Sequence, residues 1–255
     1  MEELPVRYVC INCHYVVATA TNLIETRDDV VVFRSLQSNQ EGKIVVCPAC
    51  ELGLGKGGDN YALRKDRVIK RDERLEILIC SLKKEELTQL GTLIQDVFPQ
   101  SKVTSRHLQK SELRGFQLSS SPDFVVVAHR NEGRVLLTDR NGFYHDVLGS
   151  AWQQTWGNVL VVLTRTEPKS EESLFDESLV HSLSTKGDQP TIGAIASDGR
   201  VLTWESEPSR QQREKLHELS VKAYYKEPPQ MVQGIPAQWA KLPSKPGASN
   251  WCALL

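Results

Sequence analysis

Four of the six cysteines form two Cys-x-x-Cys pairs, and these pairs are the strongest chemical signal in the sequence. The first pair is Cys10 and Cys13, and the second is Cys47 and Cys50. Each pair directs two thiolates at one point, so two pairs complete a tetrahedral site for Zn²⁺. Four thiolates leave no coordination position open for water, and we therefore expect a structural zinc ion rather than a catalytic one.

Disulfide and redox roles for these pairs fit the sequence less well. In a reducing compartment, Cys-x-x-Cys pairs are more often metal ligands than disulfides. A redox pair is followed by a helix, whereas the second pair runs into a glycine-rich stretch that contains Gly53, Gly55, Gly57 and Gly58. The spacing therefore favours metal binding.

Short apolar, β-branched runs separate the two pairs and must bring them together. These runs are Tyr15–Ala18, Val30–Phe33 and Lys43–Val46, and each is typical of a strand. The polar stretch Ser35–Gly42 reads as a loop between strands. Residues 1–62 are accordingly predicted to form a zinc-binding β module.

The second pair also carries a family resemblance. The stretch Cys47–Gly55 fits the pattern Cys-x-x-Cys-x-x-x-Leu-Gly and resembles the closing knuckle of the Yippee-type zinc domains. That family is related to the centromere-licensing Mis proteins and to the ligand-binding domain of cereblon. The opening stretch Tyr8–His14 is similar as well. The resemblance covers the first quarter of the chain and implies two small antiparallel sheets pinned at the zinc. It also implies protein or small-ligand recognition rather than catalysis.

A densely charged segment, residues 63–74, follows the predicted module. Its charges have mixed signs, and Val68-Ile69 interrupts them. We expect a solvated strand or connector here. The alternative is a basic contact surface for phosphate, as an RNA-binding sensor would need.

Beyond Leu75, apolar runs alternate with amphipathic segments, which predicts an α/β domain over residues 75–226. Predicted strands are Leu75–Ser81, Phe124–His129, Val135–Thr138, Asn158–Thr164, Thr191–Ala196 and Arg200–Trp204, and predicted helices are Lys83–Phe98, Asp146–Trp156 and Pro208–Tyr225. Asp198-Gly199 between the last two strands predicts a hairpin, so we expect a mixed sheet in an α/β sandwich. The serine-rich stretch Lys169–Gln189 is expected to be a mobile excursion.

No nucleotide-binding glycine loop and no nucleophile elbow occur at the expected places in this domain. Side chains at the predicted strand ends offer one low-specificity alternative, a ligand cleft that contains His129, Arg130, Arg165 and Asp198. Such a cleft would bind an anion or run acid–base chemistry. The competing interpretation is that these are ordinary polar residues where strands reach the surface.

The last 29 residues, 227–255, are proline-rich and predicted to form a flexible tail. The tail ends in Cys252-Ala253-Leu254-Leu255, the form of a geranylgeranylation box at Cys252. A coincidental ending is the alternative. Trp239 and Trp251 would add apolar contacts with a membrane. One lipid chain with few basic residues beside it nevertheless binds membranes only reversibly.

Composition bounds the remaining function classes. The net charge of −1 gives no global attraction to nucleic acid, and no apolar run reaches the roughly 20 residues that span a bilayer. The N-terminus lacks the features of a signal peptide, so we expect a cytoplasmic protein, peripheral on a membrane if prenylated, with the nucleus as an alternative. We expect a zinc-binding adaptor that recognises another protein and is not an enzyme. An enzyme with an unrecognised site in the α/β domain, or an RNA-binding sensor, are the alternatives.

Overall fold

The computed structural model divides the chain into two compact units, Met1–Arg74 and Leu75–Leu255. It describes residues 7–10, 16–27, 29–33, 36, 44–46, 53–57, 61–65, 68–71, 74–132, 138, 142–166, 168, 170, 172–225 and 233–240. The sheets of the first unit are antiparallel, and the sheet of the second unit is parallel. The direction of the strands determines at which edge of a sheet each predicted site residue lies.

The described part of the first unit consists of short strands in two antiparallel sheets. Its strands are β1 (Arg7–Cys10), β2 (Val16–Thr19), β3 (Leu23–Thr26), β4 (Val30–Phe33), β5 (Ile44–Val46), β6 (Gly53–Lys56), β7 (Tyr61–Arg64) and β8 (Val68–Arg71). One sheet has the order β2-β1-β8 and the other β3-β4-β7-β6-β5. Buried side chains of both sheets form one apolar core, in which the rings of Tyr8 and Phe33 meet edge to face at 4.8 Å.

Part of the segment expected to be a charged connector, residues 63–74, belongs instead to these sheets. Strand β7 pairs with β4 and β6, and β8 pairs with β1. Leu63 and Val68 are buried in the shared core, while Arg64 is exposed. The few apolar residues among the charges therefore decide the structure, because they supply the face that packs inward.

The second unit is built on a five-stranded sheet in which every pair of neighbouring strands is parallel. The strands are β9 (Leu75–Ser81), β10 (Ser101–His107), β11 (Phe124–Arg130), β12 (Val159–Thr164) and β13 (Val201–Trp204), in the order β10-β9-β11-β12-β13. All six residues of β12 are buried, as expected for a parallel strand that is covered on both faces. The predicted strands Leu75–Ser81, Phe124–His129, Asn158–Thr164 and Arg200–Trp204 are confirmed, while Val135–Thr138 lies almost wholly outside the described residues.

The mixed sheet predicted for this unit is wrong. Thr191–Ala196 forms a helix rather than a strand, so Asp198-Gly199 joins a helix to β13 and makes no hairpin. The helices are α1 (Lys84–Val97), α2 (His145–Thr155), α3 (Glu177–His181), α4 (Pro190–Ser197), α5 (Arg210–Tyr224) and α6 (Ala237–Ala240). Pro190 at the first turn of α4 favours a helix start, which outweighs the β propensity of the isoleucines that follow.

Helices cover the sheet in two layers. Helix α1 packs on β9 and β10 and contacts α5, and α5 in turn contacts β9 and β11. Helices α2 and α4 share a different apolar cluster with the alternate side chains of the strands, among them Val125, Val161 and Val201. Since successive side chains of a strand point to opposite faces, the two layers lie on opposite sides of the sheet.

The polar stretch Lys169–Gln189 is not simply a mobile excursion. Asp176 caps α3 by accepting hydrogen bonds from the backbone N–H groups of Ser178 and Leu179, and Val180 is buried. The buried Gln212 side chain donates to the carbonyl oxygens of Leu174 and Thr203 and so ties this stretch to β13 and α5.

Part of the predicted flexible tail is likewise packed. In α6, the Trp239 side chain is only 3% exposed, and its ring lies 5.3 Å from His145 and 6.4 Å from Trp152 of α2. Gly149 of α2 makes room for it, since a Cβ atom there would come within 2.6 Å of the Trp239 Nε1 atom. Trp239 therefore belongs to the core of the α/β unit and is not free to enter a membrane.

Candidate functional site

The strand order of this sheet indicates where a ligand would bind. Helix α1 leads from β9 to one neighbour, β10, whereas α2 leads from β11 to β12 on the other side. The chain therefore departs in opposite directions from the adjacent carboxyl ends of β9 and β11. In open α/β sheets, ligands bind at such a topological switch point.

His129 lies near the end of β11 and forms a largely buried pair with Tyr144, which precedes α2. Its Nδ1 atom is 3.2 Å from the Tyr144 hydroxyl oxygen, and its Nε2 atom is buried without a hydrogen-bond partner among the described residues. Burial lowers the pKa of His129 to about 4. Nearby Glu132 raises this pKa by a smaller amount, and nearby Lys83 lowers it. Burial also raises the pKa of Tyr144, so both groups are neutral at pH 7.

A chain of ion pairs surrounds Glu132, just beyond the end of β11. The Nζ atom of Lys83 is 3.2 Å from Glu132 Oε2, and the Nε atom of Arg130 is 2.8 Å from Glu132 Oε1. The hydrogen bond from Lys83 is the largest cause that lowers the pKa of Glu132, and the charges of Arg130 and Arg165 add to it. Lys83 and Arg130 thus pair with a single carboxylate at this edge, and the charge of Arg165 also acts on it.

Arg165 follows the last residue of β12 in a left-handed conformation, with φ of 63°. Such a conformation is uncommon for a residue other than glycine and costs free energy, of the order of 1 kcal/mol or more. The adjacent backbone supports it, since the N–H of Asn131 donates to the Thr164 carbonyl oxygen and joins the ends of β11 and β12.

The structure does not bring Asp198 to this edge, so the predicted four-residue cleft is wrong. Asp198 precedes β13, and a residue before a parallel strand lies at the amino edge, opposite the ends of β11 and β12. Its carboxylate pairs there with Arg200, whose side chain is 4% exposed. The error follows directly from reading α4 as a strand, because a strand would have placed the following turn at the other edge.

His129, Arg130 and Arg165 do share the carboxyl edge. Sequence analysis missed Lys83, Glu132 and Tyr144, which complete the group. Their positions carried a usable signal, since Lys83 and Glu132 each follow the end of a confirmed strand by two residues. Three cations and one carboxylate make an edge that suits an anion. Proton transfer at neutral pH suits it less, because an efficient general base has a pKa near the working pH and His129 does not.

Both Cys-x-x-Cys pairs lie at connections between neighbouring antiparallel strands. Cys10 ends β1, which pairs with β2, and Cys13 lies in the connection between them. Cys47 and Cys50 fall between β5 and β6, which pair with each other and place Val46 opposite Gly53. The side chains of all four cysteines lie outside the described residues. The four-thiolate Zn²⁺ site therefore stays a prediction from the sequence.

No group of three or more histidine, cysteine or acidic side chains within the described ranges could hold a metal ion. The described helices include none that is long and apolar enough to cross a membrane. Cys252, the predicted lipidation site, lies outside the described residues.

No family model and no curated protein matches the chain. Among solved structures, a pilus assembly protein (CpaE) from Burkholderia thailandensis is similar at 14% identity and a TM-score of 0.30, covering 59% of this chain and 98% of that one. Oxidised flavodoxin 1 from Bacillus cereus is similar at 10% identity and a TM-score of 0.25, covering 58% of this chain and 96% of that one. At these scores, neither likeness carries an argument about fold or function.

Proposed function

We propose that this chain is a zinc-binding adaptor that recognises another protein and does not catalyse a reaction. The observation that carries this proposal is the position of the two Cys-x-x-Cys pairs, each at a connection between paired antiparallel strands. Four thiolates from two such turns close the coordination sphere of Zn²⁺, and a closed site stabilises a surface rather than activating water.

The α/β unit supports the same proposal. Its acid–base candidates do not converge, since His129 and Asp198 lie at opposite edges of the sheet. The carboxyl edge instead presents Lys83, Arg130 and Arg165 around Glu132, an arrangement suited to binding. An enzyme that uses this edge is the alternative, and it would have to work with a histidine that is neutral at pH 7.

The C-terminal segment supplies a tether in this proposal. Trp239 anchors the chain on α2, and the residues after α6 extend to Cys252. Geranylgeranylation at Cys252 would then hold the adaptor reversibly at a membrane, because one lipid chain gives only marginal affinity. Stable residence would need a membrane-bound partner.

The test compares the tagged wild-type chain with Cys47→Ser, Cys252→Ser and Cys80→Ala variants expressed in eukaryotic cells. Intact mass, membrane fractionation and quantitative recovery of crosslinked partners are measured for each. We expect Cys252→Ser to lose the lipid mass and the membrane fraction, Cys47→Ser to lose the partner, and Cys80→Ala to lose neither. Specific turnover of a substrate that His129→Gln or Arg165→Gln abolishes would overturn the adaptor proposal.

A further inference from the structure

A polar groove lies beside the carboxyl edge, on the side of the sheet that carries α1 and α5. It has a volume of ≈ 390 Å³. One wall is helix α1, from Glu86 in its first turn to Asp96 in its last, and the other is the segment that leads into α5. Thr164 and Trp204, the last residues of β12 and β13, line it as well. The groove is separate from the His129–Tyr144 pair and from the ion pairs of Glu132.

Two side chains in this groove are buried with unpaired polar atoms. Glu86 is 4% exposed and Thr164 is 5% exposed. The Glu86 Oε2 and Thr164 Oγ1 atoms have no hydrogen-bond partner among the residues that the structure describes. A buried polar atom without a partner destabilises the fold, and more so when it is charged. A ligand that donates hydrogen bonds to both oxygens would remove this cost.

A purely structural role accounts for part of this arrangement. Glu86 lies in the first turn of α1, where a carboxylate interacts favourably with the helix dipole. That interaction is equally open to the neighbouring Glu85, which is exposed to solvent. The dipole therefore explains a carboxylate in this turn, but it does not explain why this carboxylate is buried and unpaired.

The charge of the groove selects the class of ligand. Three acidic residues line it, Glu86, Asp96 and Glu207, against one basic residue, Arg213. Arg213 lies 3.8 Å from Glu207 at the rim. The start of α5 does not compete for an anion, because Ser209 and Gln212 cap it reciprocally. An anionic ligand would meet the Glu86 carboxylate, whereas a cation with N–H donors would pair with it.

We propose that this groove binds an organic cation, an alkylammonium or guanidinium group. Its N–H groups donate to Glu86 Oε2 and Thr164 Oγ1, and its alkyl portion packs against Leu90, Leu93 and Trp204. The cation comes either from a free amine or from a lysine or arginine side chain of a peptide. This inference goes beyond the adaptor proposal, since it needs neither the zinc ion nor the lipid.

The experiment titrates the full chain with butylammonium and methylguanidinium chloride, with butanol as a neutral control. Binding is measured by calorimetry and by the fluorescence of Trp204, assigned with a Trp204→Phe variant. We expect a saturable site with a dissociation constant of about 1 mM for at least one cation, as small ligands of this size allow, and none for butanol.

Two matched variants locate the site. Glu86→Gln removes the buried charge and should weaken cation binding at least about tenfold, because a charge-assisted hydrogen bond is lost. Glu85→Gln removes an equal but exposed charge one residue earlier, and it should change binding less than about twofold. Thr164→Val removes the second acceptor and should weaken binding to an intermediate degree.

A pair of short peptides then distinguishes the two sources of the cation. The peptides are identical except for a single internal lysine or glutamine. Tighter binding of the lysine peptide than of butylammonium assigns the groove to a peptide side chain, and weaker binding assigns it to a free amine. Absence of saturable binding by either cation would overturn the proposal, as would equal binding by wild type and Glu86→Gln.

Discussion

The two units of this chain differ in the length of their strands and in the apolar clusters that their described residues form. The described strands of the first unit are three or four residues long, and its described residues contribute eight buried side chains to one apolar cluster. The second unit has strands of up to seven residues, its central strands β9, β11 and β12 are largely buried on both faces, and the cluster on the α2 side of the sheet contains more than twenty buried residues. The first unit spans only residues 1–74, and domains below roughly 70–80 residues often need a metal ion or a disulfide in addition to their core.

This difference indicates where each unit should be vulnerable. If the first unit binds zinc as proposed, it should depend on the four thiolates of Cys10, Cys13, Cys47 and Cys50. The second should depend on packing and on buried polar groups spread over its helices and strands. Substitutions that affect one unit and leave the other intact can therefore test the comparison, and hydrogen exchange read by mass spectrometry can follow each unit separately.

The largest effect is expected from Cys47→Ser. If zinc organises the first unit, losing one thiolate should remove the ion and unfold that unit, because structural zinc contributes on the order of 10 kcal/mol of folding free energy. Elemental analysis should find one zinc ion per wild-type chain and none in the variant. Exchange in β1 and β4 should become fast, while β9 and β12 stay protected.

Cys80→Ala is the matched control for that experiment. Cys80 is fully buried in β9 of the other unit, and burial raises its pKa to about 12, so it stays a thiol. This variant should retain all of the zinc. A Cys47→Ser protein with full zinc content and native exchange in β1 would contradict the role of the metal.

An intermediate effect is expected from Trp239→Ala in α6. Removing a buried tryptophan costs about 3–5 kcal/mol, and the loss should appear in α2 and α6 without any change in the first unit. Urea denaturation, together with hydrogen exchange, would measure it.

Gly149→Ala tests the same contact, because its effect on stability should have opposite signs in the wild-type chain and in the Trp239→Ala variant. In the wild-type chain, the added Cβ atom would clash with Trp239 and destabilise the packing of α6. In the Trp239→Ala background, the clash is absent, and alanine should stabilise α2 by about 1 kcal/mol through its higher helix propensity. Additive effects of the two substitutions would show that α6 does not pack on α2 in solution.

A smaller effect than that of Trp239→Ala is expected from a dependence of the α/β unit on pH. Burial lowers the pKa of His129 from 6.5 to about 4, so the unfolded chain takes up a proton before the folded one does. The contribution of His129 to stability should therefore be constant above pH 6.5 and fall as the pH drops from 6.5 to 4, by up to about 3 kcal/mol. Hydrogen exchange of β9, β11 and β12 would measure this loss independently of any zinc release.

His129→Gln provides the control for the pH prediction. Glutamine keeps a polar group near Tyr144 but cannot take up a proton, so the contribution between pH 6.5 and 4 should disappear. An unchanged slope in this variant would mean that His129 is accessible to solvent in the folded chain, contrary to its buried pairing with Tyr144.

Local patterns sufficed to predict most of the parallel sheet. Residues 75–81, 124–129 and 158–164 are compact apolar runs, and strands covered on both faces need such runs. Helix α1 shows the periodicity of an amphipathic helix, and it ends directly before Phe98 and Pro99. The strand predicted at Thr191–Ala196 was wrong because a short apolar run fits a strand or a buried helix equally well. Only packing against the sheet decides between them.

By itself, the sequence determined most of the strands and helices after Leu75 and the spacing of the four cysteines, since both depend on residues that are close together in the chain. Only the tertiary structure decided that Asp198 lies opposite His129, that Trp239 packs on Gly149, and that Glu86 and Thr164 share one groove. Each of these facts joins residues that are distant in the chain. Which distant residues meet depends on the order and direction of the strands, and no local pattern encodes that order.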